Sequence, residues 1–387
     1  MKILLTTDTY ENQICGVNAS IAILKEELIN QGHDVRILLF SKDRKSKKIG
    51  NNYFIGSFSL RLIDFRQSFK FNDNLIDEII SWNPDIVHIQ TEWYAGIVGK
   101  KIAKETNSPY INTNHTSWED YTRGLIPMGF IRKLFSKILL KRCYKDSSAI
   151  VVVSEKMISY LEEIPISLPT HLIPTGVDID MFNQDLSQEE IKALKSELNL
   201  TEDSKVLVYI GRISKEKNLD ELLDFLSDLI SRDGNIKLIL CGVGPRLKHL
   251  KNKVKKLGLS DNVEFTGVIH PDDTYKYYKI GDIFVSPSRC ETQGITYMEA
   301  LASSLPLVCR YDESLDDVIQ SGFNGFTYRS KEEFIDNVIR VFEMKNEDYE
   351  SYIQLKNNAF KSSFRFSKGK FGEEMEKLYL KILEMRS

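Results

Sequence analysis

Ile283-Phe284-Val285-Ser286-Pro287-Ser288-Arg289-Cys290-Glu291-Thr292-Gln293-Gly294-Ile295-Thr296-Tyr297-Met298-Glu299 compresses a strand, a loop and the start of a helix into seventeen residues. The apolar run makes a short buried strand, Ser-Pro-Ser ends it, a loop carries the first Glu, and a glycine opens a helix that carries the second. In open α/β sheets this order puts polar side chains at the carboxyl end of a strand, where ligands bind. The first turn of a helix presents unpaired backbone N–H groups and the positive end of its dipole, which suits a diphosphate. Glu299, near that helix end, can accept hydrogen bonds from vicinal hydroxyls such as those of a ribose. Glu291, outside the helix, can do the same for a sugar ring. A surface loop feeding an acidic helix carries the same spacing, so on spacing alone both readings stand.

Working outward, short apolar runs alternate with helical patterns along the whole chain. Strands are expected at residues 2–7, 35–40, 86–90, 110–114, 150–154 and 171–174, and again at 205–211, 237–242, 262–266, 282–286, 305–309 and 325–328. Buried strands separated by helices predict parallel sheets. Two Rossmann-like domains in tandem are the simplest arrangement, and 387 residues exceed what one core usually serves. The polar, charged stretch 178–204 holds the expected linker, which places the boundary near residue 200. Residues 1–200 form the first domain, 201–363 the second, and the helical pattern 364–387 finishes the chain.

Composition narrows the class. Hydrophobic content of 42%, charged content of 28% and a net charge of −3 describe a soluble globular chain with no global field to draw it to nucleic acid. Five scattered cysteines lack the paired spacing of zinc sites or a disulfide framework and fit reduced thiols in a cytoplasm. No apolar run approaches the length of a membrane span, so membrane contact is expected to be peripheral. No Gly-x-Gly-x-x-Gly follows the first strand, which argues against a dinucleotide oxidoreductase. The loop there, residues 8–18, carries the single glycine Gly16, which can admit a phosphate or simply begin a helix.

Three further features point to one kind of ligand. Gly211-Arg212-Ile213-Ser214-Lys215-Glu216-Lys217-Asn218 follows the first strand of the second domain, so Arg212 and Lys217 flank a turn at its carboxyl end. A planar fork and a point charge there can neutralise a departing diphosphate, or form a solvated turn. Cys241-Gly242-Val243-Gly244-Pro245 makes a second turn on the same sheet edge. In the first domain the strand 110–114 ends in His115, followed by Thr116-Ser117-Trp118-Glu119-Asp120-Tyr121; the histidine either points at a ligand or caps the strand.

Taken together, Gly211-Arg212 with Glu216-Lys217-Asn218, the Glu291/Glu299 pair, Cys15-Gly16-Val17 and His115 resemble the retaining glycosyltransferases of family four. The resemblance implies the GT-B fold, two Rossmann-like domains facing a central cleft, with the carboxyl-terminal helix crossing back to the first domain. The wording from Glu291 to Tyr297, with His115-Thr116-x-x-Glu119-Asp120-Tyr121, is similar to the bacterial 1,2-diacylglycerol 3-glucosyltransferases, which transfer glucose from UDP-glucose to a membrane lipid. By that resemblance Arg212 and Lys217 bind the diphosphate, helped by backbone at Gly16, Ile295 and Thr296. Glu299 holds the ribose, while Glu291 and the backbone of Thr292, Gln293 and Gly294 hold the donor sugar. His115 contacts that sugar near the reacting carbon, so His115, Arg212, Lys217 and Glu291 form the expected catalytic set. The family usually has two glycines in the first loop; Cys15 replaces one, which puts the loop's approach to phosphate in question.

No cofactor is expected beyond the UDP-sugar donor. No Asp-x-Asp stands in a setting suited to a metal-bound diphosphate, so metal-independent chemistry is expected. Retention follows from the resemblance, and front-face displacement fits because no carboxylate is clearly placed as a nucleophile. On the acceptor side, residues 121–145 hold seven Lys or Arg and no acid. Phe130, Ile131, Leu134, Phe135 and Ile138 recur at helical spacing beside Arg132, Lys133, Lys137 and Lys141. Such a helix can lie on an anionic bilayer, or face a core and leave its basic side in water. A second apolar and basic stretch, residues 57–70, is expected to flank the acceptor entrance. The expected protein is therefore a cytoplasmic enzyme attached peripherally to the inner face of the membrane. A polysaccharide acceptor, or a nucleotide-sugar epimerase, are the rival readings.

Overall fold

The computed structural model describes residues 1–10, 13, 15–60, 65–122 and 126–386. Glu11, Asn12 and Ile14 of the first loop, Arg61 to Asp64 of the second apolar and basic stretch, and Arg123 lie outside the described residues. The chain forms two compact units, Met1–Gly176 with Lys368–Ser387, and Val177–Ser367.

In the first unit, β1 (Lys2–Tyr10), β2 (Asp34–Ser41), β3 (Lys47–Ile49) and β4 (Asn52–Gly56) are followed by a separate hairpin, β5 (Phe58–Leu60) and β6 (Phe65–Gln67). Then come β7 (Ile86–Ile89), β8 (Tyr110–Asn114), β9 (Ala149–Val152) and β10 (Thr170–Leu172). The main sheet runs β10-β9-β8-β7-β1-β2-β4-β3. Every pairing in it is parallel except β3 with β4, an antiparallel edge that the expected strands did not include. Its central strands are buried on both faces, which is why Ile3-Leu4-Leu5 and Ile86-Val87 read as continuous apolar runs.

The second unit holds β11 (Lys205–Ile210), β12 (Ile236–Cys241), β13 (Val263–Gly267), β14 (Ile283–Ser286), β15 (Leu307–Arg310) and β16 (Gly325–Tyr328). They form one parallel sheet in the order β13-β12-β11-β14-β15-β16. The order reverses between β11 and β14, the switch point at which doubly wound sheets open a crevice for ligands.

The units part at Gly176 and Val177 and not near residue 200. Val177, Ile179 and Phe182 pack with Phe284, Met298 and Phe366, while Leu198 and Leu200 pack with Val206 and Val208. Apolar burial thus assigns the polar-looking stretch to the second unit, through to Ser367. The last helix, Lys368–Glu384, belongs to the first unit, where Phe371, Met375, Leu378, Tyr379 and Ile382 join the core of β1 and helix Gly16–Asn30. Its contact is close: a Cβ added to Gly372 would lie 2.6 Å from Glu27 Cβ. Glu376 Oε1 also lies 2.8 Å from His33 Nε2.

Candidate active site

The register Leu207↔Ile283 and Val208↔Phe284 sets the carboxyl ends of β11 and β14 side by side. The loops that follow therefore meet, and Lys217 Nζ lies 2.7 Å from Glu291 Oε1. Both side chains are mostly covered, at 22% and 10% exposure. Burial alone would lower the Lys217 pKa, but the charge and hydrogen bond of Glu291 outweigh it and hold the value above the usual lysine range. The ammonium is therefore charged at neutral pH. Tyr297 steadies the pair from below: its hydroxyl lies 2.7 Å from Ser286 Oγ and 3.4 Å from Glu291 Oε1.

The helix after this loop spans Ile295–Ala302. Gly294 precedes it at φ +77°, and an added Cβ would lie 2.6 Å from the Tyr297 ring, so the turn requires glycine. The N–H groups of Ile295 and Thr296 fall in the first turn, where helical geometry supplies no acceptor. Gln293 is buried and its amide turns inward, 3.5 Å from Met298 Sδ, while Thr292 is half-buried. Glu299 sits one turn along the helix, with Oε2 accepting from the Tyr278 hydroxyl at 2.8 Å. Burial pushes its pKa up to about 7, partly offset by that hydrogen bond.

Arg212 is exposed on the turn after β11, and its carbonyl accepts from the Tyr209 hydroxyl at 3.1 Å. This turn packs backbone to backbone on the turn after β12. Gly211 N–H donates to the Cys241 carbonyl and Ile213 N–H to the Val243 carbonyl, both at 2.9 Å. A Cβ on Gly242, at φ +139°, would lie 2.0 Å from the Gly211 carbonyl oxygen, and one on Gly244 would lie 2.2 Å from that of Ile213. The Gly-x-Gly-Pro element is thus a support for the Arg212 turn. Glu221, in the first turn of helix Leu219–Arg232, ties the Glu291 loop to the neighbouring strand: it accepts from Arg289 and, at 2.7 Å, from Arg310 at the end of β15.

In the first unit His115 follows β8 and its Nε2 lies 2.8 Å from Gln90 Oε1 at the end of β7. Burial pushes the His115 pKa down to about 4, so the ring is neutral at pH 7. Deeper in the sheet, His88 is held between the Tyr379 hydroxyl and Thr113 Oγ1, each at 2.6 Å, and burial pushes its pKa to about 3. Gly16 is the first residue of helix Gly16–Asn30, preceded by Cys15 in extended conformation with no side-chain cap. Asp8, near the end of β1, accepts from Trp93 and Ala95 N–H at 3.0 and 2.8 Å.

The basic segment forms helix Gly129–Tyr144. Its core face is Ser136, Leu140, Cys143 and Tyr144, whereas Phe130, Leu134 and Ile138 are 71%, 56% and 61% exposed. The expected apolar stripe therefore splits: Phe135 leans inward, its ring 6.5 Å from that of Trp93, Ile131 is half-buried, and Phe130, Leu134 and Ile138 face water. Arg132 donates to the Ile126 and Pro127 carbonyls and Lys133 pairs with Glu163. Lys137 also acts on Glu163 through its charge, at longer range than Lys133. Among the described residues no helix is long and apolar enough to cross a membrane.

Gln90, Glu221, Tyr278, Ser286 and Tyr297 were not anticipated. Gln90 ends an expected strand and could have been marked as His115 was; the tyrosines stand in apolar patterns that read as core.

Comparison with known proteins places this geometry. Residues 14–181 match the model described as Glycosyltransferase Family 4, and residues 190–362 match Glycosyl transferases group 1. An alpha-monoglucosyldiacylglycerol synthase of Streptococcus pneumoniae is 34% identical over 85% of this chain and 75% of its own length. The enzyme of that name from Acholeplasma laidlawii is 29% identical over 99% of this chain and 98% of its own. Among solved structures, sucrose-phosphate synthase from Thermosynechococcus elongatus superposes with a TM-score of 0.79 at 18% identity, covering 99% of both chains. Anabaena HepE in complex with UDP and glucose superposes with a TM-score of 0.76 at 17% identity, covering 98% of this chain and 99% of its own. With both Rossmann-like units matched, the chain belongs to glycosyltransferase family four and has the GT-B fold.

Proposed function

We propose that this protein transfers glucose, with retention, from UDP-glucose to diacylglycerol at an anionic membrane surface. The reading of a UDP-sugar hexosyltransferase is carried by one observation: Lys217, Glu291 and the Gly294 helix start converge at the switch point of the second sheet. The diacylglycerol acceptor follows from the relatives named as synthases of that glycolipid.

The chemistry builds negative charge on the leaving diphosphate and positive charge at the anomeric carbon. Donors fixed before reaction stabilise that charge most, because none must reorganise as it develops. Glu291 keeps Lys217 charged and in place before the donor arrives. Arg212 adds a planar fork from the turn that Gly242 and Gly244 support. The Ile295 and Thr296 N–H groups complete the anion cradle. Glu299 accepts from the ribose hydroxyls, while Glu291 and the backbone at residues 292–294 hold the donor sugar. Backbone at Gly16 is assigned to the diphosphate. A neutral His115, steadied by Gln90, contacts the sugar without repelling developing positive charge.

Membrane contact is supported by helix Gly129–Tyr144, whose outward Phe130, Leu134 and Ile138 lie beside Lys137 and Lys141. A helix covering only a core would turn that stripe inward. Peripheral attachment at the cytoplasmic face is part of this proposal. Incubation with labelled UDP-glucose or UDP-galactose and a panel of diacylglycerol, glycolipid and soluble sugars tests the whole reading. An α-glucosyl product extracted with lipid supports it. Label confined to soluble sugars, or UDP-hexose interconversion without acceptor, overturns it.

A further inference from the structure

The second unit carries a cationic surface that the donor site does not use. Residues 246–256 contain Arg246, Lys248, Lys251, Lys253, Lys255 and Lys256 and no acid, in a chain whose net charge is −3. Helix Leu247–Lys256 buries Leu250 and Val254 against the unit's core. Arg246, His249 and Lys253 face helix Leu219–Arg232, where Asp220 and Asp224 neutralise them. The outward lysines are left over: Lys248, Lys251, Lys255 and Lys256 are exposed and have no ion-pair partner among the described residues. Lys251 only lies over the Phe265 ring, 5.5 Å from its centre.

Their spacing matters. Lys248, Lys251 and Lys255 stand three and four residues apart, so they share one face, and like charges in those positions destabilise a helix. Lys255 and Lys256 sit in the last turn, where the dipole favours cations, but Lys248 stands in the first turn, where it does not. Local helix stability therefore does not account for the face, and an anionic partner relieves its repulsion. Among the described residues this helix exposes no large apolar side chain, which separates it from helix Gly129–Tyr144. It can adsorb by charge but has nothing to insert.

We infer that helix Leu247–Lys256 is a second, purely electrostatic contact of this enzyme with an anionic bilayer. The inference rests on the lipid acceptor of the proposed function, which brings the enzyme to such a surface. Each lysine near an anionic surface adds attraction that acts within a Debye length.

The test is co-sedimentation of the full chain with phosphatidylcholine vesicles, with and without phosphatidylglycerol, over a range of salt. Lys248→Gln/Lys251→Gln should lower partitioning onto the anionic vesicles roughly tenfold at low salt and flatten the salt dependence. The same charge removed at Lys192 and Lys361, exposed elsewhere on the unit, should change it far less. Substituting all four lysines should deepen the loss, while Phe130→Ser should weaken binding without altering the salt slope. Equal loss from the two double variants overturns the inference and leaves only a net-charge effect. Unchanged partitioning of the lysine variant, with wild type bound, also overturns it and leaves the acceptor reading standing. A wild-type chain that binds neither vesicle overturns both. Lysine-dependent retention on heparin without retention by vesicles assigns the face to another polyanion and overturns it too.

Discussion

Glu299 makes donor affinity pH-dependent near neutrality. Its pKa is about 7 in the unliganded protein because burial disfavours the carboxylate. At pH 6 it is therefore mostly protonated, and at pH 8 mostly ionised. Ribose hydroxyls donate to the ionised form, so donor binding favours the carboxylate and draws the pKa back towards its ordinary value of 4.5. That return is worth about 3 kcal/mol at 1.36 kcal/mol per pH unit. The sign follows: a carboxyl with a raised pKa before binding and a lower one after gives tighter binding as pH rises through 7. For those two values affinity should increase roughly tenfold between pH 6 and pH 8, with uptake of the donor releasing close to one proton at pH 6. Isothermal titration with UDP-glucose measures both, since its doubly esterified diphosphate does not titrate there. His115, already neutral above its pKa of about 4, and Lys217, held above the lysine range, contribute nothing in this window. Glu299→Gln should bind at the weak, acidic-limb level throughout and lose the pH dependence. A flat wild-type profile from pH 6 to 8, or a tenfold change that survives in Glu299→Gln, refutes the reasoning.

Two other outcomes follow from the same geometry. Arg212→Ala should lower turnover by two or more orders of magnitude, as expected for a preorganised donor to the leaving group worth about 3 to 4 kcal/mol; near-normal turnover removes Arg212 from its role. Gly242→Ala must displace the Gly211 carbonyl, 2.0 Å from the new Cβ, and with it the Arg212 turn, so transfer should fall at least tenfold. Gly258→Ala, at φ +71° with nothing within 4 Å, serves as the comparison: it should cost about 1 kcal/mol of stability and leave specific activity unchanged. Equal specific activity in the two alanine variants counts against the backbone contact.

What was legible in the sequence was what local chemistry determines. Continuous apolar runs mark strands buried on both faces, so the parallel parts of the two sheets could be read, as could the glycine that starts the helix after Glu291. Residues at the carboxyl ends of those strands, Arg212, Lys217, Glu291 and His115, could be named because strand polarity alone sets where they emerge. The edge strand β3 and its neighbour β4 were missed, since two of the three residues of Lys47–Ile49 are lysines and Asn52–Gly56 lies behind the charged stretch 42–48, which reads as loop. The unit boundary was displaced because residues 178–204 look polar in composition, yet Ile179, Phe182, Leu198 and Leu200 are buried against the second unit.

Only the tertiary structure decided the rest. Lys217 and Glu291 lie 74 residues apart and become an ion pair because β11 and β14 are neighbours at the switch point. The rise in the Glu299 pKa comes from burial, which no spacing encodes. The face of helix Gly129–Tyr144 that meets water was equally undetermined, because an apolar stripe is the same in sequence whether a core or a bilayer receives it. Side-chain identity sets what a residue can do, and the packing of distant strands and helices sets its partner, its charge and its exposure.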